Sequence, residues 1–253
     1  MLAEADASRQ WTSDAPTQEI AFISFPKSGR TWMRYVFHLV GCPVTFTHAG
    51  HGTSRREMGE PFSGVDTSEL RSKNIFLHRN PLDTAVSLYF QVHKKDFRVS
   101  SHAFFRKFIK LALRGQLPPK DINRFVVHPA WGVEKICRFN REWIDFFDAR
   151  PRDMVISYEQ TRASPGAAIR QILDYCGATG DAAKLAKQAS FESMKARELT
   201  EGRSKQLMLH GMVRNDPETM KVRRGVVRGY GDYLRSDVIE RARATCASYQ
   251  FEI

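Results

Sequence analysis

Apolar positions near the start of the chain predict a strand, a turn and a helix in that order. Residues 20–25 are a short run of apolar, β-prone side chains, which predicts a buried strand. The turn at residues 26–29 contains a proline and a glycine, and residues 31–40 then carry apolar side chains at helical spacing. Gly41 follows directly and suits a helix end.

The same order recurs twice further along the chain. Residues 74–78 predict a second strand, 79–83 a turn, and 84–93 a helix, because proline and aspartate in the turn suit a helix start. Residues 154–157 predict a third strand, and 167–176 predict a helix after an intervening loop. Strands that alternate with helices predict an α/β fold in which a central parallel β-sheet is flanked by helices.

No linker divides the predicted elements into separate domains. Residues 1–18 are polar and lack periodicity, so we expect a loose N-terminal leader before a single domain over residues 19–253. Residues 100–150 are helix-like and rich in aromatic side chains, and Pro118 and Pro119 interrupt them.

Composition places the chain among ordinary globular proteins and gives it a basic excess. It has 253 residues, of which 42% are hydrophobic and 26% charged, which excludes a disordered acidic tail and a disulfide-dense miniprotein. Lysine and arginine number 39 against 28 acidic residues, a net charge of +11. This excess predicts an anionic partner: nucleic acid, an anionic membrane surface, or a small molecule bearing phosphate or sulfate.

The remaining compositional features favour a reducing compartment. Four cysteines occur without a metal-like spacing, which predicts reduced thiols and no zinc site. No run approaches the roughly 20 apolar residues of a membrane-spanning helix. The first residues lack the basic end and apolar run of a secretory signal, so we expect a cytoplasmic location.

The turn after the first strand has the chemistry of an anion site. A strand that feeds a tight turn and then a helix presents backbone N–H groups to an anion. Gly29 permits close backbone approach, Lys27 adds a cation, and Ser28 and Thr31 add hydroxyl groups. The alternative is an ordinary strand-to-helix turn with a solvated lysine. The turn is not a P-loop of the GxxxxGK[ST] kind, because its lysine precedes the glycine.

Two further basic segments suit phosphate. Arg79 ends the second strand and Ser87 lies in the helix that follows, so an arginine fork and a hydroxyl group can face one pocket. Residues 221–233 hold four cations among three glycines, which is typical of a flexible loop that closes on an anion. Solvated surface residues are the alternative for both segments.

Together and in this order, these segments resemble the sulfotransferase family that uses 3′-phosphoadenosine 5′-phosphosulfate (PAPS). Residues 24–32 are similar to the family's 5′-phosphosulfate loop, YPKSGTTW, and residues 77–87 to its 3′-phosphate motif, RNPKDVAVS. Tyr158-Glu159 resembles its YEDL segment, residues 189–194 its SFENM-like segment, and residues 223–230 its RKGxxGxW loop. The resemblance implies a P-loop-like architecture related to the nucleotide kinases.

The resemblance also implies a role for each matching residue. Lys27 would contact the 5′-phosphosulfate and stabilise charge on the bridging oxygen as the sulfuryl group leaves. The implied PAPS-binding residues are Lys27, Ser28, Gly29, Arg30 and Thr31 in the 5′ loop, Trp32, Tyr158 and Phe191 around the adenine, and Arg79, Ser87, Arg223, Arg224 and Gly225 at the 3′-phosphate. No metal is required, because cationic side chains neutralise the charge.

Three positions depart from the family pattern. Arg30 replaces the usual threonine, so a guanidinium stands in place of a hydroxyl ligand. Arg224 stands where lysine is common, and Tyr230 replaces the usual tryptophan in a loop that is one residue longer.

Sulfuryl transfer needs in-line positioning, charge neutralisation and a base for the acceptor proton. The family often places a histidine in a KTHLP-like segment between the two phosphate motifs, and His48 preserves the Thr-His pair there. His48 is therefore the predicted base. His51 and Glu57 are its rivals, and a purely loop-ordering histidine is the alternative.

The predicted reaction is transfer of the sulfuryl group from PAPS to a hydroxyl or amine of a small-molecule acceptor, to which residues 102–147 would supply much of the pocket. An ATP-dependent kinase is the alternative, but it predicts a P-loop lysine after the last glycine. A nucleic-acid-binding module predicts basic residues along one face, whereas many here lie at strand-to-helix turns. The acceptor's identity and the oligomeric state stay open, with a homodimer among the options.

Overall fold

Four parallel strands form the sheet of the computed structural model, which describes residues 20–49, 59–94, 109, 111–200, 220 and 225–253. The strands are β1 (Ile20–Ser24), β2 (Val44–Thr47), β3 (Lys73–His78) and β4 (Met154–Ser157), and their order in the sheet is β2-β1-β3-β4. Ile20 pairs with Val44 on one side and with Lys73 on the other, while Ile75 pairs with Met154. The three predicted strands are confirmed. The sequence did not predict β2, whose polar and apolar side chains alternate over only four residues.

Helices follow each strand or connect them in the described residues. They are α1 (Arg30–Val40), α2 (Pro81–Lys94), α3 (Ile122–Val126), α4 (Val133–Asp148), α5 (Tyr158–Ala163), α6 (Pro165–Cys176), α7 (Ala182–Gln188), α8 (Phe191–Thr200) and α9 (Ser236–Ser248). Short 3₁₀ turns lie at Thr67–Glu69 and Gly229–Asp232.

The predicted helix boundaries are mostly confirmed, with two corrections. Helix α2 begins at Pro81 rather than at residue 84, so residues 81–83 of the predicted turn form its first turn. Helix α1 ends at Gly41, which adopts φ +75 and donates its N–H to the last turn. The loop expected before residue 167 is instead the first turn of α6, because Pro165 occupies the first helical position, where its missing N–H costs nothing. The side chain of Ser157 caps α5, a helix that the sequence did not predict, by accepting the N–H of Gln160.

The core lies on both faces of the sheet, as a parallel sheet requires. Successive strand residues point to opposite faces, so Phe22 and Ile75 pack with residues of α1 and α6. Ile23 and Phe76 pack on the other face with residues of α2, α4 and α9. The predicted α/β architecture with a covered parallel sheet is therefore confirmed.

The topology brings the turns of interest to one edge of the sheet. Strand β1 lies between β2 and β3, so the connections that leave β1 and β3 diverge at their carboxyl ends. Ligands bind at such a switch point in open α/β sheets. Among the residues that the structure describes, no helix is long and apolar enough to cross a membrane. The proposed leader, residues 1–18, lies outside the described residues, and the single-domain boundary stays a prediction.

Candidate active site

The turn between β1 and α1 is wound by two residues with positive φ. Lys27 has φ +74 and Gly29 has φ +103. This winding turns successive N–H groups inward, as in the backbone concavities that bind anions. Gly29 has no side chain to cap α1, and within the described part of the chain the N–H groups of Trp32 and Met33 donate to the Gly29 carbonyl oxygen. The N–H groups of Arg30 and Thr31 remain available to an anion.

Gly29 is required by close packing as well as by its backbone conformation. A Cβ atom there would lie 2.5 Å from Cδ2 and 2.9 Å from Cε2 of Tyr158. The Tyr158 ring at the start of α5 therefore rests directly on the turn. A larger residue at position 29 could not coexist with this ring position.

Arg79 joins the turn after β3 to the turn after β1. Its Nη1 donates to the carbonyl oxygen of Lys27 at 3.1 Å, and its guanidinium lies 4.3 Å from the centroid of the Tyr158 ring. The neighbouring Asn80 N–H donates to Oε1 of Glu159 at 2.9 Å. The turns after β1, β3 and β4 thus form one hydrogen-bonded unit.

Two buried polar atoms in this unit have no partner among the described residues. They are Oγ of Ser28 and Nε of Arg79. Unpartnered buried polar groups carry a free-energy cost and often mark functional sites. Together with the uncapped helix and the cations at positions 27, 30 and 79, they fit a phosphate- or sulfate-bearing ligand.

Asp83 fixes the C-terminal loop against α2. Its Oδ2 accepts the backbone N–H of Arg228 at 2.7 Å, and its Oδ1 accepts that of Tyr230 at 3.2 Å. Arg79 Nη2 lies 3.9 Å from the same carboxylate. Burial raises the pKa of Asp83, while Arg79 and the two N–H groups act in the opposite direction. The sequence marked Asp83 only as a helix-start residue, since its partners lie more than 140 positions away.

Aromatic side chains flank the unit. A Cβ atom at Gly225 would lie 2.4 Å from the Phe191 ring, so the C-terminal loop passes directly over that ring. Trp32 is half-buried, and its Nε1–H donates to the carbonyl oxygen of Ala189 at 2.6 Å, immediately before α8. Trp32 therefore contacts the segment that leads into α8, and Phe191 is the first residue of that helix.

A cavity of about 770 Å³ opens beside the unit, a size that suits a nucleotide or other small ligand. It is lined by cationic residues from several elements, together with Gly225, Glu159 and the C-terminal residues; the cations are Arg79, Arg162 and Arg228. Arg162 also lies 5.7 Å from the Phe191 ring centroid. The sequence missed Arg162 and Arg228 as site residues, because helix α5 was not predicted and the basic loop gave no signal that singled out Arg228.

His48 follows β2 and contacts the last residue of β1 and the first residue of α1. Its Nδ1 lies 2.7 Å from the carbonyl oxygen of Ser24, and Nη2 of Arg30 donates to its Nε2. A carbonyl only accepts, so the partners assign the proton to Nδ1 and the lone pair to Nε2, which is the neutral tautomer. Burial lowers the pKa of Arg30, and the charge of the nearby Arg34 lowers it further, to about 9. Arg30 therefore remains protonated at pH 7.

The structure brings most of the predicted residues to one edge of the sheet. Lys27 through Trp32, His48, Arg79 and Tyr158 all lie at or just after the carboxyl ends of the strands. Ser87 is half-buried on α2, one turn after Asp83 and on the same helix face. The predicted residues Arg223 and Arg224, and the rival bases His51 and Glu57, lie outside the described residues.

In the segment expected to supply much of the acceptor pocket, Phe125, Trp131 and Phe139 are buried in the core. In the described ranges, no group of three or more histidine, cysteine, aspartate or glutamate side chains is arranged to hold a metal.

The family model "Sulfotransferase domain" matches residues 61–250. The crystal structure of mouse sulfotransferase SULT7A1 complexed with PAP is similar with a TM-score of 0.58 and 18% identity, over 95% of this chain and 87% of that one. Retinol dehydratase in complex with androsterone and inactive cofactor PAP gives a TM-score of 0.60 and 12% identity, over 94% and 83%. At these identities the structures show a shared fold. A search of curated proteins gave no match.

Proposed function

The chain belongs to the sulfotransferase family, and from this premise we propose that it transfers the sulfuryl group of PAPS to a small-molecule acceptor. The products are 3′-phosphoadenosine 5′-phosphate (PAP) and a sulfated acceptor. Retinol dehydratase and the mouse enzyme were both crystallised with PAP, which supports PAPS as the donor here. The kinase alternative has no comparable support, and Lys27 precedes rather than follows the glycine of its turn.

One observation carries the proposal: the hydrogen bond from Arg79 to the Lys27 carbonyl joins two anion-binding turns into one surface. A ligand with a 5′-phosphosulfate and a 3′-phosphate has two anionic groups that need two such turns. The Tyr158 ring, which contacts both turns, lies between them, where an adenosine could be held.

We propose the following roles for the residues of this surface. Lys27, Ser28, Gly29, Arg30 and Thr31 hold the 5′-phosphosulfate, Trp32, Tyr158 and Phe191 border the adenine, and Arg79, Ser87, Gly225, Arg223 and Arg224 hold the 3′-phosphate. Asp83 contributes indirectly, because its carboxylate fixes the backbone of the loop that begins at Gly225.

Catalysis is proposed to rest on Lys27 and His48. The acceptor oxygen or nitrogen forms a bond to sulfur as the bond between sulfur and the bridging oxygen breaks, and the electron pair of that bond stays on the departing phosphate oxygen. Lys27 stabilises the charge that develops there. Nε2 of His48, which carries the lone pair, takes the acceptor proton.

The remaining assignments are proposals as well. The acceptor is proposed to be a small molecule with a hydroxyl or amine rather than a nucleic acid. A cytoplasmic location is supported by the four cysteines, all of which are free thiols. A homodimer stays a prediction that sedimentation analysis of the pure protein can test.

The decisive experiment compares ligands by thermal stabilisation of the pure protein. PAP should stabilise the fold, by about 2.7 kcal/mol at a concentration 100 times its Kd, whereas ATP with magnesium and duplex DNA should not. Labelled PAPS and a panel of phenols, alcohols, sugars and amines would then identify the acceptor. Stabilisation by ATP with magnesium but not by PAP would overturn the proposal.

His48 is tested separately. The His48→Ala variant should lose transfer and keep PAP binding nearly unchanged. Turnover near the wild-type rate in that variant would eliminate His48 as the base and direct attention to His51 and Glu57.

A further inference from the structure

Arg30 is a half-buried cation without an acidic partner among the described residues. It is the first residue of α1, directly after the Gly29 turn, and its guanidinium is directed toward His48 at the end of β2. Among the residues that the structure describes, no carboxylate forms an ion pair with it, and the charge of a nearby cation, Arg34, contributes to lowering its pKa. A half-buried charge with no opposite charge beside it favours the binding of an anion.

His48 does not supply that compensation. Its Nδ1 proton is donated to the carbonyl oxygen of Ser24, and its Nε2 lone pair accepts from Arg30, so the ring is neutral. The contact orients the guanidinium but leaves its charge unbalanced. It also uses the only lone pair that the neutral imidazole offers.

The shared lone pair has a chemical consequence. Nε2 cannot accept a proton from an acceptor hydroxyl while it accepts a hydrogen bond from Arg30 Nη2. A guanidinium has five N–H donors in a planar fork that matches the paired oxygens of an anionic group. Arg30 therefore has to leave Nε2 before His48 can act as a base, and an anion at the turn is the group that can draw it away.

We propose that Arg30 distinguishes the sulfated donor from the desulfated product: it binds the sulfuryl oxygens and thereby releases Nε2 of His48 for the acceptor proton. The inference rests on the proposed function and adds to it. Base availability is coupled to the presence of the group to be transferred. A threonine, the usual residue at this position in the family, has no positive charge and could not form this link.

The test compares the affinities for PAPS and PAP, since the two ligands differ only by the sulfuryl group. Arg30→Thr should weaken PAPS binding by about 10- to 100-fold, as expected for loss of a charge-assisted hydrogen bond, and leave PAP affinity within about twofold. Calorimetry without acceptor measures both. Arg34→Thr is the matched control, because it removes a cation from the same helix that lies over Phe46 instead. Any effect of the lost charge should fall equally on the two ligands, so the ratio of the PAPS and PAP affinities should stay unchanged.

Two outcomes would overturn the inference. Equal losses of PAPS and PAP affinity in Arg30→Thr would mean that Arg30 does not bind the sulfuryl group specifically. Unchanged affinities for both would mean that Arg30 contacts neither ligand. Retained PAP binding also shows that the variant is folded. Failure of the wild-type protein to bind either nucleotide is a different result, since it would refute the proposed function itself.

The release of His48 has its own readout. In ¹⁵N-labelled protein, PAPS should shift the Nε2 resonance of His48 and PAP should not, because only PAPS draws Arg30 away. Arg30→Thr should abolish the difference between the two ligands. The same shift with both ligands, or with neither, would contradict the coupling.

Discussion

Substitution of Gly29 by alanine should introduce both backbone strain and a side-chain clash in the turn between β1 and α1. An L-residue with positive φ costs about 1–2 kcal/mol, and Gly29 has φ +103. The added Cβ would also lie 2.5 Å from the Tyr158 ring, so the ring must shift, and overpacking of this kind costs about 1–3 kcal/mol. The two contributions together predict a loss of about 2–5 kcal/mol and a fall in Tm of about 4–20 °C.

The substitution should also weaken ligand binding, because Tyr158 contacts Arg79. Their cation–π distance is 4.3 Å, so a displaced ring moves the guanidinium that is proposed to bind the 3′-phosphate. We expect Gly29→Ala to weaken PAP binding by about tenfold or more, the effect of roughly 1.4 kcal/mol. Calorimetric titration with PAP and thermal unfolding measure the two effects on the same sample.

Two other glycines provide matched controls. Gly177 has φ +66 but open space around its Cβ position, so Gly177→Ala should show only the backbone cost of about 1–2 kcal/mol. Gly166, in the first turn of α6, has neither constraint, and its alanine variant should be neutral or slightly stabilising. The reasoning is refuted if Gly29→Ala loses no more stability than Gly177→Ala and binds PAP as tightly as the wild type.

Three further predictions concern other parts of the site and the cysteines. Asp83→Ala should cost about 2–4 kcal/mol in denaturant unfolding and weaken PAP binding, because Arg228 N–H and a second loop N–H lose their acceptor. Burial raises the pKa of Asp83 above its unfolded value, so its contribution to stability is complete at low pH and declines as pH rises through the folded pKa; Asp83→Asn should remove this dependence. Arg79→Lys should weaken PAP binding, since lysine cannot form the planar fork or the ring contact, and wild-type affinity would exclude that role. Cys42 should be alkylated before buried Cys137 in peptide mapping, because hydrogen bonding to a neighbouring thiol lowers its pKa; the reverse order would contradict the structure.

Features that depend on neighbouring positions could be predicted from the sequence. The periodicity of residues 20–40 predicted β1, the turn and α1, because side-chain burial in a strand and a helix repeats at fixed and different intervals. The same holds for β3 and α2. The position of Lys27 after β1 and of Arg79 after β3 follows from the same local pattern, since both are placed by the strand that precedes them.

Features that depend on which strands become neighbours could not be predicted in this way. Strand β2 is short and alternates weakly, and it is held by its pairing with β1 rather than by a pattern of its own. The carboxylate of Asp83 reaches a loop 145 positions away, and no local spacing records such a contact.

The sequence alone determined the α/β architecture, the first turn and its cations, because each follows from local periodicity and residue chemistry. Only the tertiary structure placed His48 beside Arg30, because that contact requires β2 to pair with β1 and so carry His48 to the same edge of the sheet. The sequence recorded Arg30 as a departure from a motif. The fold made it a half-buried cation that donates to the lone pair of the proposed base.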